Sequence, residues 1–267
     1  MSLPLRTARR TALRAARLAT LTGLTSSLMP FYLASKRLAR ARGDESSTHD
    51  AWVRSWARTM LRTFGVEVSR QGEPPVRSGR GLLVVSNHRS AIDIVLMQSL
   101  FGGHLVSRGD LSGWPLIGPA ARAVGTIFLD RTNARSGAMT LRTVEQWLRE
   151  GRTVILFPEG TTFIGDEVRP FHAASFVAAA RAGADIVPLG VAYETGGEAS
   201  FVGETFGAHL LRVSAAPRIR LAVTVGPVLA PPTRAEAHAF ARDTRATVQG
   251  LVDQSRTTID APSESRT

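Results

Sequence analysis

Cysteine is absent from the chain. Disulfide cross-links, thiolate metal sites and a thiol nucleophile are therefore excluded, and any chemistry falls to His, carboxylates, Ser/Thr and Arg. The H-E-x-x-H zinc signature and the G-x-S-x-G elbow of serine hydrolases are missing too, and no carboxylates cluster at ligand spacing. Acid is scarce at the start, since no Asp or Glu precedes Asp44. Long apolar stretches are scarce as well: residues 18–35, "LATLTGLTSSLMPFYLAS", carry no charge for 18 residues but hold six Ser/Thr, Gly23 and Pro30. That is a marginal membrane span, and an interfacial or half-inserted helix fits it better.

What is present begins with arginine. Of the net charge of +11, nine units lie in residues 1–62, where twelve basic residues oppose Asp44, Glu45 and Asp50. The rest of the chain is close to neutral, so a nucleic-acid groove spread over the protein is a poor explanation and the partner of the basic end is local and anionic. Arg6, Arg10, Arg14 and Arg17 recur at helical spacing beside Leu13, Leu21, Leu24 and Leu28, the pattern of a basic amphipathic helix on an anionic membrane surface. A solvated charged helix, a signal peptide and an Arg-rich transit peptide are the competing readings. A second amphipathic stretch spaces Trp52, Trp56, Met60 and Phe64 four apart, with Arg54, Arg58 and Arg62 offset from them. Its aromatic side either docks on a core or sits among lipid headgroups.

A chain of 267 residues with 43% hydrophobic content buries a sizeable core and demands no second one. From about residue 70, short apolar runs alternate with helical patterns, which reads as α/β with a mostly parallel, buried sheet. Strands are expected at 81–86, 104–107, 125–129, 153–157, 186–192 and 219–225, and helices near 91–100, 136–150, 172–182 and 233–255. Residues 256–267 lack core side chains and are expected to fray.

Four short blocks fall at strand ends, where open α/β sheets place their ligands. "VSNHRSAID" sets His88 and Asp93 five positions apart at the start of a helix. Asp93 there either holds the Nδ1–H of His88, leaving Nε2 to take a proton, or caps the helix with Asn87 while His88 is an ordinary surface residue. "GTIFLDR" carries Arg131 at its tip, where a guanidinium grips phosphate with two parallel bonds. "LFPEGTT" makes a Pro-Glu-Gly-Thr turn: Pro158 stiffens it, Gly160 permits close backbone approach, and Glu159 offers an acceptor to a substrate hydroxyl. "IVPLGV" puts Pro188 inside a strand, which suggests an edge, a bulge or a pocket wall.

In this order, NHRSAID (87–93), GTIFLDR (125–131), FPEGT (157–161) and IVPLGV (186–191) resemble the four blocks of the glycerolipid acyltransferases typified by 1-acylglycerol-3-phosphate acyltransferase, over residues 50 to 230. The resemblance implies an αβ sandwich with a mostly parallel central sheet behind N-terminal membrane-associating helices. The corresponding division is 1–65 for the helices, 66–255 for the acyltransferase domain and 256–267 for a flexible tail. It implies transfer of a fatty acyl group from acyl-CoA or acyl-carrier protein to the free hydroxyl of a membrane lysolipid, first of all 1-acyl-sn-glycerol-3-phosphate. No cofactor, metal or nucleic acid is expected, and the expected place is the cytoplasmic face of the inner membrane. Carried over residue by residue, His88 is the general base and Asp93 orients it. Arg131, Glu159, Gly160 and Thr161 bind the acceptor head group, with Arg108 and Thr162 beside them, while Asn87, Gly125, Phe128, Pro158 and Pro188 support the blocks.

A thioester is already activated, so direct attack by the acceptor hydroxyl is preferred over an acyl-enzyme. Oxyanion donors are sought among the backbone N–H groups near 88–93 or 159–162. The chain departs from the family where relatives follow the turn with a cationic or serine residue, having Thr162 and Phe163, and where they carry Lys, having Arg108. The Thr pair and "FVGETF" (201–206) resemble the branch that acylates lyso-ornithine lipid, which stays open as the acceptor. Another lysophospholipid O-acyltransferase is the rival of the same class, and a non-enzymatic membrane-surface binding protein the rival of another class.

Overall fold

The computed structural model describes residues 3–76, 78–130, 133–196 and 199–261, leaving aside the side chains of 3–6, 108, 110 and 134. In chain order the elements are α1 (Leu3–Ala41), α2 (Glu45–Thr63), β1 (Val66–Gln71), β2 (Leu82–Ser86), α3 (Ala91–Phe101), β3 (His104–Arg108), a 3₁₀ turn (Gly109–Gly113), α4 (Ile117–Ala123), β4 (Ile127–Leu129), α5 (Ala134–Arg149), β5 (Thr153–Leu156), α6 (Ala174–Ala182), β6 (Asp185–Tyr193), α7 (Phe206–Ala215), β7 (Ile219–Val225) and α8 (Ala237–Asp260).

The strands form one seven-stranded sheet in the order β1-β7-β6-β2-β5-β3-β4. Neighbours run parallel except β6 and β7. A parallel sheet is covered on both faces, which is why its central strands read as unbroken apolar runs. In β2, Leu82 and Val84 enter the core under α2 and α3, while Leu83 and Val85 enter the one under α5 and α6. Strand alternation thus feeds two hydrophobic layers from one short segment.

Several expectations are corrected. The strand expected at 125–129 starts at Ile127, because Gly125 and Thr126 close α4: their N–H groups reach Arg122 O at 3.0 Å and Ala121 O at 2.8 Å, with Gly125 at φ +72°. This left-handed helix end suits glycine. Pro188 lies in the sheet interior opposite Val85, not at an edge. Its carbonyl accepts Gly226 N–H at 2.9 Å, so its missing N–H faces the side where β7 has just ended at Val225. β1, α4 and α7 had no sequence signal strong enough to name them: β1 is a polar edge strand and α4 is short, with Pro119 in its first turn. α8 continues through the segment expected to fray as far as Asp260, burying Ser255 and Ile259. Residues 262–267 of that tail lie outside the described residues.

The N-terminal helices are tied to the body. Arg17, expected on a basic outer stripe, is buried: its guanidinium donates to Thr63 O at 2.9 Å, Ser214 O at 3.3 Å and Ala216 O. It satisfies carbonyls at the ends of α2 and α7 that those helices leave unpaired. Arg54 and Arg58 likewise donate to Phe101 O and Ser99 O at the end of α3 (3.2 and 3.1 Å). Met60, Leu61 and Phe64 enter the sheet core, and Trp56 Nε1–H donates to Thr25 Oγ1 at 3.1 Å, so the aromatic side of α2 docks inward. No helix among the described residues is long and apolar enough to cross a membrane. α1 does leave Phe31 and Leu38 exposed, at 64% and 54%.

Candidate active site

β2 ends at Ser86, and the next side chain extends its ladder. Asn87 donates Nδ2–H to Val191 O at 2.8 Å and accepts Val191 N–H at 2.9 Å, pairing with β6 as a backbone amide would. His88 follows at the strand tip. Its Nδ1 lies 3.0 Å from Asp93 Oδ2, and its side chain is 14% exposed while that of Asp93 is fully buried. An ionised carboxylate only accepts, so Nδ1 carries the hydrogen and Nε2 presents a lone pair. The ring stacks on Phe157 with centroids 4.0 Å apart.

Asp93 is also the helix cap. Ser90 and Asp93 form a capping box on α3, in which Asp93 Oδ2 takes the N–H groups of Arg89 (2.6 Å) and Ser90 (2.8 Å). Asp93 therefore both holds the imidazole and caps the helix, but its partner in the cap is Ser90 and not Asn87, which is spent on Val191. The other Asp93 oxygen accepts the Tyr193 hydroxyl at 2.5 Å. Burial, and then the Asp93 charge, hold that hydroxyl well above its ordinary pKa, so Tyr193 stays a donor. Neither Tyr193 nor His209 was named from sequence. His209, fully buried, accepts the Ala91 N–H on Nε2 at 3.4 Å and bonds Glu204 through Nδ1 at 3.1 Å; burial lowers its pKa, which keeps it neutral. The "FVGETF" block marked Glu204 without revealing its partner.

Glu159 is corrected from substrate contact to brace. Its side chain is fully buried, Oε2 accepts His88 N–H and Arg89 Nη1 (both 2.8 Å), and Oε1 accepts Arg169 N–H at 2.8 Å. No lone pair is turned outward to a ligand. Thr162 also spends its hydroxyl internally, on Phe201 O. Thr161 is exposed, and Gly160 at φ +79° closes the turn by donating to Phe157 O at 3.0 Å. Pro158 O accepts His172 N–H at 2.9 Å, and a Cβ on Gly160 would come within 3.0 Å of the His172 ring. Glycine is thus required there both for its backbone angle and for space.

The oxyanion expectation divides in two. The N–H groups of residues 88–93 are all engaged, with Glu159, Asp93, His209 or Ser90, so that segment has no donor to offer. Those of Thr161 and Thr162 have no partner among the described residues. Arg131 lies outside the described residues, and Arg108 is fixed only in its backbone, paired with Leu129 at the end of β3. Phe128 of β4 lines the cavity described next.

A cavity of about 250 Å³ opens between α1, α2, α3, α4 and α7. Leu21, Leu28, Trp56, Val95, Ala120 and Leu210 give it an apolar wall, and Ala91 and Ile92, in the same helical turn as Asp93, border it with His209. One helix start therefore touches both an apolar hollow and a polarised imidazole. That arrangement suits proton abstraction beside an apolar ligand.

The comparisons with known proteins agree with this geometry. A family model described as Acyltransferase matches residues 67–192. The lyso-ornithine lipid O-acyltransferase of Pseudomonas aeruginosa is 33% identical over 199 residues, covering 73% of this chain and 75% of that protein. The 1-acyl-sn-glycerol-3-phosphate acyltransferase of Neisseria gonorrhoeae is 34% identical over 135 residues, 50% of this chain and only about half (52%) of that protein. Among solved structures, the 1-acyl-sn-glycerophosphate (LPA) acyltransferase PlsC of Thermotoga maritima matches with a TM-score of 0.73 over 93% of this chain and 97% of that one, at 19% identity, a likeness of fold. With the sheet, the His88–Asp93 pair and a 33% identical relative covered over three quarters of its length all in agreement, the chain belongs to the Acyltransferase family.

Proposed function

We propose that this protein is a membrane-surface O-acyltransferase that moves a fatty acyl group from a thioester donor, acyl-CoA or acyl-carrier protein, to the free hydroxyl of a lysolipid. The observation that carries the reading is the His88 imidazole, held through Nδ1 by a buried carboxylate and offering Nε2 at the tip of a central strand. In the reaction, Nε2 takes the hydroxyl proton as the acceptor oxygen attacks the thioester carbonyl. Asp93 stabilises the imidazolium that forms. The unpaired N–H groups of Thr161 and Thr162 stabilise the oxyanion. When the carbon–sulfur bond breaks, the leaving thiolate recovers the proton from His88, and base and acid are one residue.

The apolar cavity beside Ala91 suits the acyl chain. The exposed Phe31 and Leu38 of α1, with Arg37, Arg40 and Arg42 close by in sequence, suit an anionic membrane surface, which this reading takes to be the cytoplasmic face.

The acceptor is read first as 1-acyl-sn-glycerol-3-phosphate, giving phosphatidic acid. A second reading, lyso-ornithine lipid, is favoured by the wider coverage of the Pseudomonas aeruginosa relative. The deciding experiment incubates purified enzyme and its His88→Ala variant with labelled acyl-CoA and a panel of lysolipids in mixed micelles. Wild type is expected to acylate one lysolipid of the panel preferentially and His88→Ala none of them. Transfer by a folded His88→Ala enzyme would end the mechanism.

A further inference from the structure

The turn after Glu159 carries no positive charge of its own at Thr161 and Thr162, and Thr162 is bonded to Phe201 O. A cation nevertheless returns to this place from farther along the chain. We propose that Arg169 binds the anionic part of the acceptor head group, phosphate or carboxylate; the proposal rests on the lysolipid acyltransferase reading above.

Arg169 is placed by the catalytic strand tip itself. Its backbone N–H is held by Glu159 Oε1, while the other oxygen of that carboxylate holds the His88 N–H. Its guanidinium lies over the Phe163 ring, 5.4 Å from the centroid, and Phe163 N–H in turn donates to His88 O at 3.1 Å. Two short connections therefore fix this side chain relative to the imidazole, and stacking on one face pre-orders the fork.

The other arginines that reach this loop, Arg89 from the strand tip and Arg245 and Arg256 from α8, are already bound to it. Arg89 uses Nε on Gly165 O (2.5 Å), Nη1 on His88 O (2.7 Å) and on Glu159, and Nη2 on Glu167 O (2.8 Å). Arg245 is bound to Val168 O and Arg256 to Asp166. Arg169 differs: Nε is buried with no hydrogen-bond partner, Nη2 has none among the described residues, and Nη1 meets only Glu167 at 3.2 Å, a carboxylate 64% exposed. With its side chain 43% exposed, it has donors to give and an opening through which to give them. A buried N–H left unpaired is costly, and such a cost persists where a ligand completes the pairing. Carboxylate and phosphate each present two oxygens that match the guanidinium fork.

The test is steady-state acyl transfer by the full chain in mixed micelles, comparing wild type, Arg169→Lys and Arg169→Gln. Lysophosphatidate supplies the phosphate arm, lyso-ornithine lipid the carboxylate arm, and uncharged monoacylglycerol the arm without an anion. For whichever anionic acceptor wild type uses, Arg169→Gln is expected to raise the acceptor KM by about tenfold or more with kcat within about threefold. Arg169→Lys is expected to fall between, and the donor KM and the KM for monoacylglycerol to stay unchanged. An unaltered anionic-acceptor KM in Arg169→Gln, or an equal loss with monoacylglycerol and in Arg169→Lys, overturns the proposal while leaving the acyltransferase reading intact. Absence of transfer by wild type to any lysolipid would instead sink the reading itself, and the head-group role of Arg169 with it.

Discussion

Replacing Glu159 with glutamine separates a brace from a substrate contact. The carboxylate receives three donors at 2.8 Å, His88 N–H and Arg89 Nη1 on one oxygen and Arg169 N–H on the other, with no exposed side-chain surface. A glutamine amide has a single acceptor oxygen, so either orientation turns its NH₂ against at least one of these donors, and Arg89 loses its buried countercharge. Removing one member of a buried ion pair costs about 3–5 kcal/mol. Because an acceptor oxygen remains for part of the network, the low end applies, roughly 3 kcal/mol, which at about 2–4 °C per kcal/mol lowers Tm by about 6–12 °C. Thermal unfolding followed by circular dichroism measures this, and acyl transfer on the same samples is expected to show a lower kcat, with acceptor KM raised only together with the lowered Tm, as the Arg169 N–H loses its acceptor. A Glu159→Gln protein with wild-type Tm and a raised acceptor KM would refute the reasoning, since it would mean that the carboxylate faces the acceptor and not the protein.

Asp93→Asn is expected to keep the fold, because an amide oxygen still accepts the Arg89 and Ser90 N–H groups, yet to lose about 10²–10⁴ in kcat once the imidazolium has no anion beside it; circular dichroism and rate on one preparation check both. Burial holds the His104 pKa down to about 3, with the stacked His49 ring 4.2 Å away adding to the effect. A His lowered on folding favours the native state above the unfolded value of about 6.5, so stability is lost as pH falls through 6.5 toward 3, at about 1.4 kcal/mol per unit or roughly 2 kcal/mol by pH 5. Urea midpoints at pH 7.5 and 5 are expected to differ by at least this much, because burial also lowers His49 and His209, and His104→Gln is expected to reduce the difference by the His104 share; an unchanged slope in that variant would contradict the assignment. Ala120→Phe, which fills the apolar cavity, is expected to shift donor preference toward shorter chains, since excluding two methylenes at about 0.8 kcal/mol each is worth roughly tenfold. Competition between palmitoyl- and decanoyl-CoA reads it out.

The sequence by itself determined the buried strands and the reactive pair. Unbroken apolar runs such as Leu82–Val85 have one stable use, between two layers of helices, and the five-residue step from His88 to Asp93 carries the imidazole from strand tip to first helical turn, within reach of its acid. The polar edge strand β1 and the short α4 were not legible because their residues bury little and their order comes from neighbours. Only the tertiary structure decided which polar groups face inward. Glu159, Thr162, Arg17 and Arg54 look from sequence like groups free for a ligand or a membrane, yet each is spent on the protein, through partners as far as 200 residues away in the case of Arg17. Arg169, ten residues beyond Glu159 and unnamed by any motif, is left with donors to offer. Hydrogen-bonding capacity belongs to a residue type, but whether it is already satisfied depends on which distant carbonyls and carboxylates the fold brings against it.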